Sequence, residues 1–376
     1  MDRFIKLNNS INTVGYPNVI EDENGNLVYN AIPDYLYFTA LEDMTIKYSG
    51  SYLQYSTDCK TWISLNANTY SDTIKKGTTI YIRTSSSVSS LGQFTVTGRF
   101  NIGGSLKELL SSATEKKYRN LFSNNTRLVD ASGLVLYEYG KYIYSKMFSG
   151  CTSLVKAPDI FVRGNPISGQ MLSSMFAGCT SLTTPPTFIG DISGSGGTNR
   201  AYYTCSNMFS GCTALTETPW LTASFSESDD KYCYQNMFNG CTALNKVKML
   251  SLTAPSDTCT KDWLKSVSQN GVFIKNSEAE WDVIGTNGIP EGWEIKQYDF
   301  NTGKTFIKFY INDSAFIADD NMTWTSWVSS DYNTIGLAVN DDNTVYNETG
   351  TLKLNDTPVL STDKIKYISG GQPYNI

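Results

Sequence analysis

Met147-Phe148-Ser149-Gly150-Cys151-Thr152-Ser153-Leu154 returns three more times, as Met175-Phe176-Ala177-Gly178-Cys179-Thr180-Ser181-Leu182, Met208-Phe209-Ser210-Gly211-Cys212-Thr213-Ala214-Leu215 and Met237-Phe238-Asn239-Gly240-Cys241-Thr242-Ala243-Leu244. The methionines are 28, 33 and 29 residues apart, and a degenerate copy, Leu121-Phe122-Ser123-Asn124-Asn125-Thr126-Arg127-Leu128, lies 26 residues upstream of the first. Periods in this range mean stacked supersecondary units, none of which buries its apolar face alone. The expected repeat core is Met147, Phe148, Cys151 and Leu154, then Met175, Phe176, Cys179 and Leu182, then Met208, Phe209, Cys212 and Leu215, then Met237, Phe238, Cys241 and Leu244, each forming a ladder along a shared interior.

Within one unit the pattern reads as a turn of helix through Tyr142-Ile143-Tyr144 and Met147-Phe148, a glycine where the chain reverses, a short strand near Leu154 and a proline that stops it. Gly150, Gly178, Gly211 and Gly240 fit helix-ending positions that need positive φ. Pro158, Pro185, Pro186 and Pro219 are expected just past the strand, where a missing amide ends the ladder. The glycine-rich and serine-rich stretch from Gly190 to Gly197 reads as an inter-coil loop.

Outward from the repeats, residues 35–104 alternate like short strands, at Tyr35 to Phe38, Met44 to Tyr48, Trp62 to Leu65, Thr79 to Arg83 and Phe94 to Thr97, which predicts a β-sandwich-like domain. Residues 1–34 have an Asn24-Gly25 turn but little apolar content, and read as an extended arm that orders against a partner. Trp263-Leu264 and Gly288-Ile289-Pro290-Glu291-Gly292-Trp293 look like an end cap, so the solenoid with its cap spans 105–297. Residues 298–376 read as a small β module with a hairpin from Phe306-Ile307-Lys308-Phe309-Tyr310 into Ala315-Phe316-Ile317 and one short helix around Trp324 and Val328. The fold class is therefore multidomain and mainly β with short helices: an N-terminal β-sandwich-like domain, a central solenoid of α/β coils and a C-terminal small β module.

Composition narrows the function. The formal net charge is -6 and no basic run exceeds Lys116-Lys117, which argues against a nucleic-acid partner held through phosphates. No apolar run approaches the roughly 20 residues that a membrane helix needs, so membrane insertion is not expected. The start, Met1-Asp2-Arg3-Phe4-Ile5-Lys6-Leu7, lacks the apolar stretch of a signal peptide. The chain has no histidine, which removes the commonest general base and metal ligand together. Four of the eight cysteines hold one slot per repeat and are expected as small buried hydrophobes; Cys205 and Cys233 should pack on the same face, and nothing pairs Cys59 or Cys259. No Cys-x-x-Cys spacing suggests zinc, and no cofactor, metal site or catalytic residue is expected.

A carboxylate-pair hydrolase needs no histidine, yet Asp229-Asp230, the Glu278, Glu280 and Asp282 cluster and Asp319-Asp320 stand in loop-like contexts with no framing motif. Asp319-Asp320-Asn321 and Asp341-Asp342-Asn343 match no calcium loop and read as turns. The candidate binding surface is a set of tyrosines flanking the repeat phrases: Tyr137, Tyr139, Tyr142, Tyr144, Tyr202, Tyr203, Tyr232 and Tyr234. Solenoid faces bind through such side chains, although packing between coils would use them equally well.

The Met-Phe-x-Gly-Cys-Thr-Ser/Ala-Leu phrases resemble the BspA-like class of leucine-rich repeats found in surface proteins of gut Bacteroidetes and in their phages. The order of a β domain carrying Tyr55-Ser56-Thr57-Asp58-Cys59-Lys60-Thr61-Trp62, then repeats, then Gly288 to Trp293 is similar to proteins of tailed phages of that niche, including crAss-like phages. The resemblance implies a structural virion protein, a head fibre or capsid decoration made in the host cytoplasm and exposed on the particle. Its expected partners are capsid or other virion proteins and a host surface glycan or protein, and a homo-oligomer is expected. The alternatives are a bacterial cell-surface adhesin and a tail-fibre component.

Overall fold

The computed structural model describes residues 35–136, 140–161, 169–186, 188–189, 202–221, 232–249, 251, 258–276, 279 and 281–298, and the backbone of short strands within 19–29 and 305–375. The chain is mainly β, with no helix among the described residues, and its centre is a β-solenoid-like stack of about six coils. Aligning the repeat phrases places coil I at 116–128, II at 142–154, III at 170–182, IV at 203–215, V at 232–244 and VI at 258–270.

The expected helical turn is corrected here. In coil II the amides of Met147, Ser149 and Cys151 donate three residues back, to Tyr144, Lys146 and Phe148 at 3.0, 3.2 and 3.0 Å. The intervening amides of Lys146, Phe148 and Gly150 donate instead to Ser173, Met175 and Ala177 of coil III, at 3.0, 2.9 and 2.8 Å. A helix would send every amide back along its own chain and leave none for a neighbour. Alternation lets half of the donors close β-turns while the other half lock coil to coil. The turns need a left-handed residue every fourth position, and Tyr142, Lys146 and Gly150 have φ of 60°, 57° and 75°. Coils III, IV and V repeat this at Gln170, Ser174 and Gly178, at Tyr203, Asn207 and Gly211, and at Tyr232, Asn236 and Gly240. The glycines do have positive φ, but at the corner of a turn ladder.

In-register stacking puts like on like. Phe122, Phe148, Phe176 and Phe209 stack with centroids 5.5 Å apart, and Phe209 to Phe238 is 5.2 Å. All sixteen repeat-core residues of the four phrases are fully buried. The four ladder thiols each donate to the carbonyl of the phenylalanine one coil earlier: Cys151 to Phe122, Cys179 to Phe148, Cys212 to Phe176 and Cys241 to Phe209, at 3.0 to 3.2 Å. Burial pushes the Cys151 thiol up to about 12 and those of Cys179 and Cys212 well above the ordinary range, so these are inert packing groups.

The opposite wall is parallel sheet. Phe100–Ser105 pairs with Leu128–Val135, Ile160–Phe161 with Phe188–Ile189, and Glu217–Leu221, Lys246–Met249, Val272–Asn276 and Glu294–Tyr298 form one four-stranded parallel sheet. The prolines lie inside this wall and do not end it. Pro158 precedes Ile160–Phe161, Pro185 and Pro186 precede Phe188–Ile189, and Pro219 stands within Glu217–Leu221 at a register shift that spares the missing donor.

The segment ahead of the coils has the expected strands, with Leu53–Ser56 and Phe100–Ser105 in addition. Six strands, two of them from this junction, form one sheet, and Ile46–Tyr48 pairs with Phe94–Val96 alongside. Its interior runs directly into the solenoid: Phe38, Phe94 and Phe122 are in ring contact, and the buried apolar residues from Leu36 to Trp293 make one cluster. Strand Phe94–Val96 offers its free edge to coil I. Phe94 donates to the Leu121 carbonyl at 2.9 Å, the Gln93 side-chain amide donates to the Ser123 carbonyl, and the Val96 amide donates to Asn125 Oδ1 at 3.0 Å. Asn125 holds the slot that cysteine fills in the later coils, and its Nδ2 donates to the carbonyls of Phe94 at 2.8 Å and Phe122 at 3.0 Å.

At the far end Trp263 takes the methionine slot of coil VI, fully buried, and donates from its indole to the Gly288 carbonyl at 2.8 Å. Trp293 donates to Ser268 at 3.0 Å, and Asn287 Oδ1 accepts the Asp262 amide at 3.2 Å. Beside this cap Lys275 is buried, with Nζ donating to the carbonyls of Ala279 and Trp281 and to Asp282 Oδ1.

Towards the N-terminus Val19–Glu21 pairs antiparallel with Leu27–Tyr29. Two expectations for the C-terminal module are corrected. Thr305–Phe309 pairs with Ile335–Val339 and Ile365–Ser369 and not with Ala315–Ala318, which pairs with Trp324–Trp327. Trp324–Trp327 is therefore strand, as tryptophan and threonine favour in a run too short to nucleate a helix.

Candidate functional site

The solenoid brings the first left-handed corner of coils I to V into one line. The line runs Lys116, Tyr142, Gln170, Tyr203 and Tyr232. Placing three tyrosines at positive φ costs about 1–2 kcal/mol each relative to glycine, which the surrounding ladder bonds must offset. Tyr142, Tyr203 and Tyr232 are half-buried. Tyr203 and Tyr232 stack with centroids 4.9 Å apart and planes at 9°. Tyr142 has three cations about its ring, Lys116 at 5.5 Å, Lys141 at 5.7 Å and Arg119 at 5.9 Å from the centroid.

The other sequence candidates divide. Tyr202 is half-buried. Tyr144 and Tyr234 are 1% and 0% exposed; Tyr144 stacks on Tyr118 at 5.8 Å and Tyr234 on Trp263 at 6.2 Å, so neither ring can touch a partner. Tyr137 and Tyr139 lie outside the described residues. Burial divides by position in the coil: Tyr142 stands half-buried at a left-handed corner, and Tyr144, two positions on, faces the interior.

A second aromatic and cationic patch, on strands whose alternation alone does not mark it as a site, lies on the outer sheet face of residues 35–104. Arg83 sits over the Trp62 ring at 3.9 Å while its Nε donates to Gln54 Oε1 at 2.9 Å, and Tyr35 meets Trp62 edge-on at 4.9 Å. The alternation of Thr79, Tyr81 and Arg83 on one face was the available signal. Next to it Asp58 closes a turn, accepting from Lys60 N at 2.8 Å, Thr61 N at 2.7 Å and Ser56 Oγ at 2.8 Å. The Thr61 and Lys60 amides hold its carboxyl down at about 2. On the strand wall, burial works to raise Glu217, but Lys248 and Lys246 outweigh it and hold the carboxyl below the usual range.

Among the described residues no three or more Cys, Asp or Glu side chains gather in a way that could hold a metal ion, and no helix is long and apolar enough to cross a membrane. Of the acidic residues weighed for hydrolysis, Asp282 is bound to Lys275 at 2.9 Å, while Asp229, Asp230, Glu278, Glu280, Asp319 and Asp320 lie outside the described residues, as do Asp341 and Asp342 of the calcium reading. What the described sites offer is flat aromatic surface with adjacent cations, suited to binding. Comparisons with protein-family models, with curated proteins and with solved structures give no match, so the likeness to BspA-like repeats rests on the repeat phrases themselves.

Proposed function

We propose that this chain is a non-enzymatic adhesive scaffold, a structural virion protein of the head-fibre or capsid-decoration kind, whose solenoid presents its tyrosine corner to a glycan or protein on the host surface. The observation that carries the reading is the line of half-buried phenol rings held on a rigid ladder, with Tyr203 and Tyr232 4.9 Å apart and Tyr142 flanked by three cations. Rigid aromatic side chains give large contact area at low entropic cost, and stacked rings with nearby donors suit the apolar faces and hydroxyl edges of sugars. The repeat phrases, by their resemblance, favour a particle-borne setting; a bacterial cell-surface adhesin is the alternative that would use the same corner.

The test is binding of the purified chain to host cells and to their capsular polysaccharide, comparing wild type with Tyr203→Ala/Tyr232→Ala. Loss of two aromatic contacts should weaken binding roughly tenfold or more with the melting temperature little changed. Unaltered binding by the double variant would move the contact surface elsewhere, and mass spectrometry of purified particles that finds no copy of the chain would leave the bacterial adhesin.

A further inference from the structure

The four ladder cysteines each aim their thiol at a backbone carbonyl, whereas the Cys259 thiol is directed at the sulfur of Cys233. Cys233 of coil V and Cys259 of coil VI occupy the same coil position, five residues before the phenylalanine slot filled by Phe238 and Leu264. Their sulfurs are 3.3 Å apart, with the Cys259 thiol directed at Cys233 Sγ, and both side chains are buried, at 1% and 2% exposure. The coils are held in register on either side of the pair: the Cys205 amide donates to the Cys233 carbonyl and the Tyr234 amide to the Cys259 carbonyl, both at 3.0 Å. Adjacent rungs of a parallel stack lie within the roughly 4.4–6.8 Å between α-carbons that a disulfide tolerates, and closing the sulfurs to about 2 Å needs only small side-chain rotations.

We infer that Cys233 and Cys259 form a disulfide that staples the last coil to the array when the chain folds under oxidising conditions. The reaction is thiol–disulfide exchange with a small-molecule or protein disulfide. The Cys259 or Cys233 thiolate attacks one sulfur of the donor, releasing one thiol. The remaining partner thiolate attacks the mixed disulfide and releases the second, so two thiols and one donor disulfide give one Cys233–Cys259 bond and two donor thiols. Burial of the folded pair makes the folding chain, before coil VI seats, the species that reacts. The staple falls where the array needs it most. Coil VI lacks the Met-Phe-x-Gly-Cys phrase: Trp263-Leu264 replaces Met-Phe, and Val267 replaces the ladder cysteine. The terminal coil of a solenoid is packed on one side by a full repeat and on the other only by its cap.

The full chain is unfolded, refolded with reduced and oxidised glutathione, blocked with iodoacetamide in denaturant and digested without reduction. The Tyr232–Lys246 and Met249–Lys261 peptides should appear joined, about 2 Da lighter than their sum. A second cut after Phe238 separates Cys233 from Cys241 and places the bond. Cys151, Cys179, Cys212 and Cys241 should be fully alkylated, and Cys205→Ser should keep the link while Cys259→Ser loses it. Full alkylation of both Cys233 and Cys259 in correctly refolded wild type, or a bond joining ladder cysteines instead, overturns the inference. The wild-type map decides the matter even if a variant fails to refold.

Discussion

Replacing Asn125 with alanine should uncouple the β layer of residues 35–104 from the coils. Asn125 is 3% exposed and makes three bonds at the junction, accepting from the Val96 amide at 3.0 Å and donating to the carbonyls of Phe94 at 2.8 Å and Phe122 at 3.0 Å. Alanine leaves the Val96 donor and the Phe94 acceptor in a closed junction, and each such orphan costs about 1–3 kcal/mol, so the expected loss is about 4 kcal/mol. Cys151→Ala is the matched control one coil along. It deletes a single weak donor to Phe122 and one sulfur's volume, for about 1–2 kcal/mol. In urea, the Asn125→Ala midpoint should fall by about 1–2 M, and by clearly more than that of Cys151→Ala. Hydrogen exchange supplies the local reading, because the Val96 amide should lose its protection in Asn125→Ala while the Phe176 amide, bonded to Met208 at 2.9 Å, keeps its own. Equal costs for the two substitutions, or an undiminished Val96 protection factor, would refute the view that a buried asparagine joins the two parts.

Two further outcomes follow from the corner and turn geometry. Gly178→Val should lower the melting temperature by more than Gly178→Asn: a β-carbon there meets only the Gly150 α-carbon and amide nitrogen, both at 3.9 Å, so the penalty is the φ of 74°, about 1–2 kcal/mol for valine and less for asparagine, which Asn124 shows in the same corner of coil I. Comparable losses for the two variants would mean that crowding sets the cost. For Asp58, whose folded carboxyl lies at about 2, below its unfolded value, the contribution is complete above about pH 4 and disappears as pH falls through the folded value. The melting-temperature gap between wild type and Asp58→Ala should therefore be constant from neutral pH to about 4 and close towards pH 2; a gap that persists at pH 2 would assign the turn's stability to something other than the charged carboxylate.

The repeat core was legible because stacking in register forces one residue type into one slot, and Met, Phe, Cys and Leu recur where the interior demands them. The turn ladder imitates a helix in sequence for a physical reason. Tyr144, Met147, Phe148 and Cys151 are spaced i, i+3, i+4 and i+7, the template of an amphipathic helix. A chain of overlapping β-turns with a left-handed residue every fourth position produces the same spacing while sending alternate amides to the next coil. Glycine announces only one of the three left-handed corners in coils II to V; Tyr142, Lys146, Gln170 and Ser174 carry no side-chain signal of positive φ. For the same reason Tyr142 and Tyr144 could not be told apart as surface and core. The closeness of Cys233 and Cys259 was hidden because coil VI has lost the phrase that would have set its register.

The direction of the ladder bonds bears on how such a chain can meet a partner. In the turn wall each inter-coil bond runs from an amide of one coil to a carbonyl of the next, from Asn120 to Ser145 and Phe122 to Met147 in coil I through to Phe238 and Trp263 in coil V. A one-way stack has an end of bare acceptors and an end of bare donors, either of which would add another strand-like chain. Here both ends meet matching groups from the same chain. The Phe94 amide and the Gln93 side chain supply donors to the Leu121 and Ser123 carbonyls, while Asn287 supplies an acceptor to Asp262 and the Trp263, Trp281 and Trp293 cluster covers the interior behind it. Among the described residues both ends of the turn wall are thus engaged within the chain, which supports the proposed use of a lateral surface, where the left-handed corner carries Tyr142, Tyr203 and Tyr232 in coils II, IV and V.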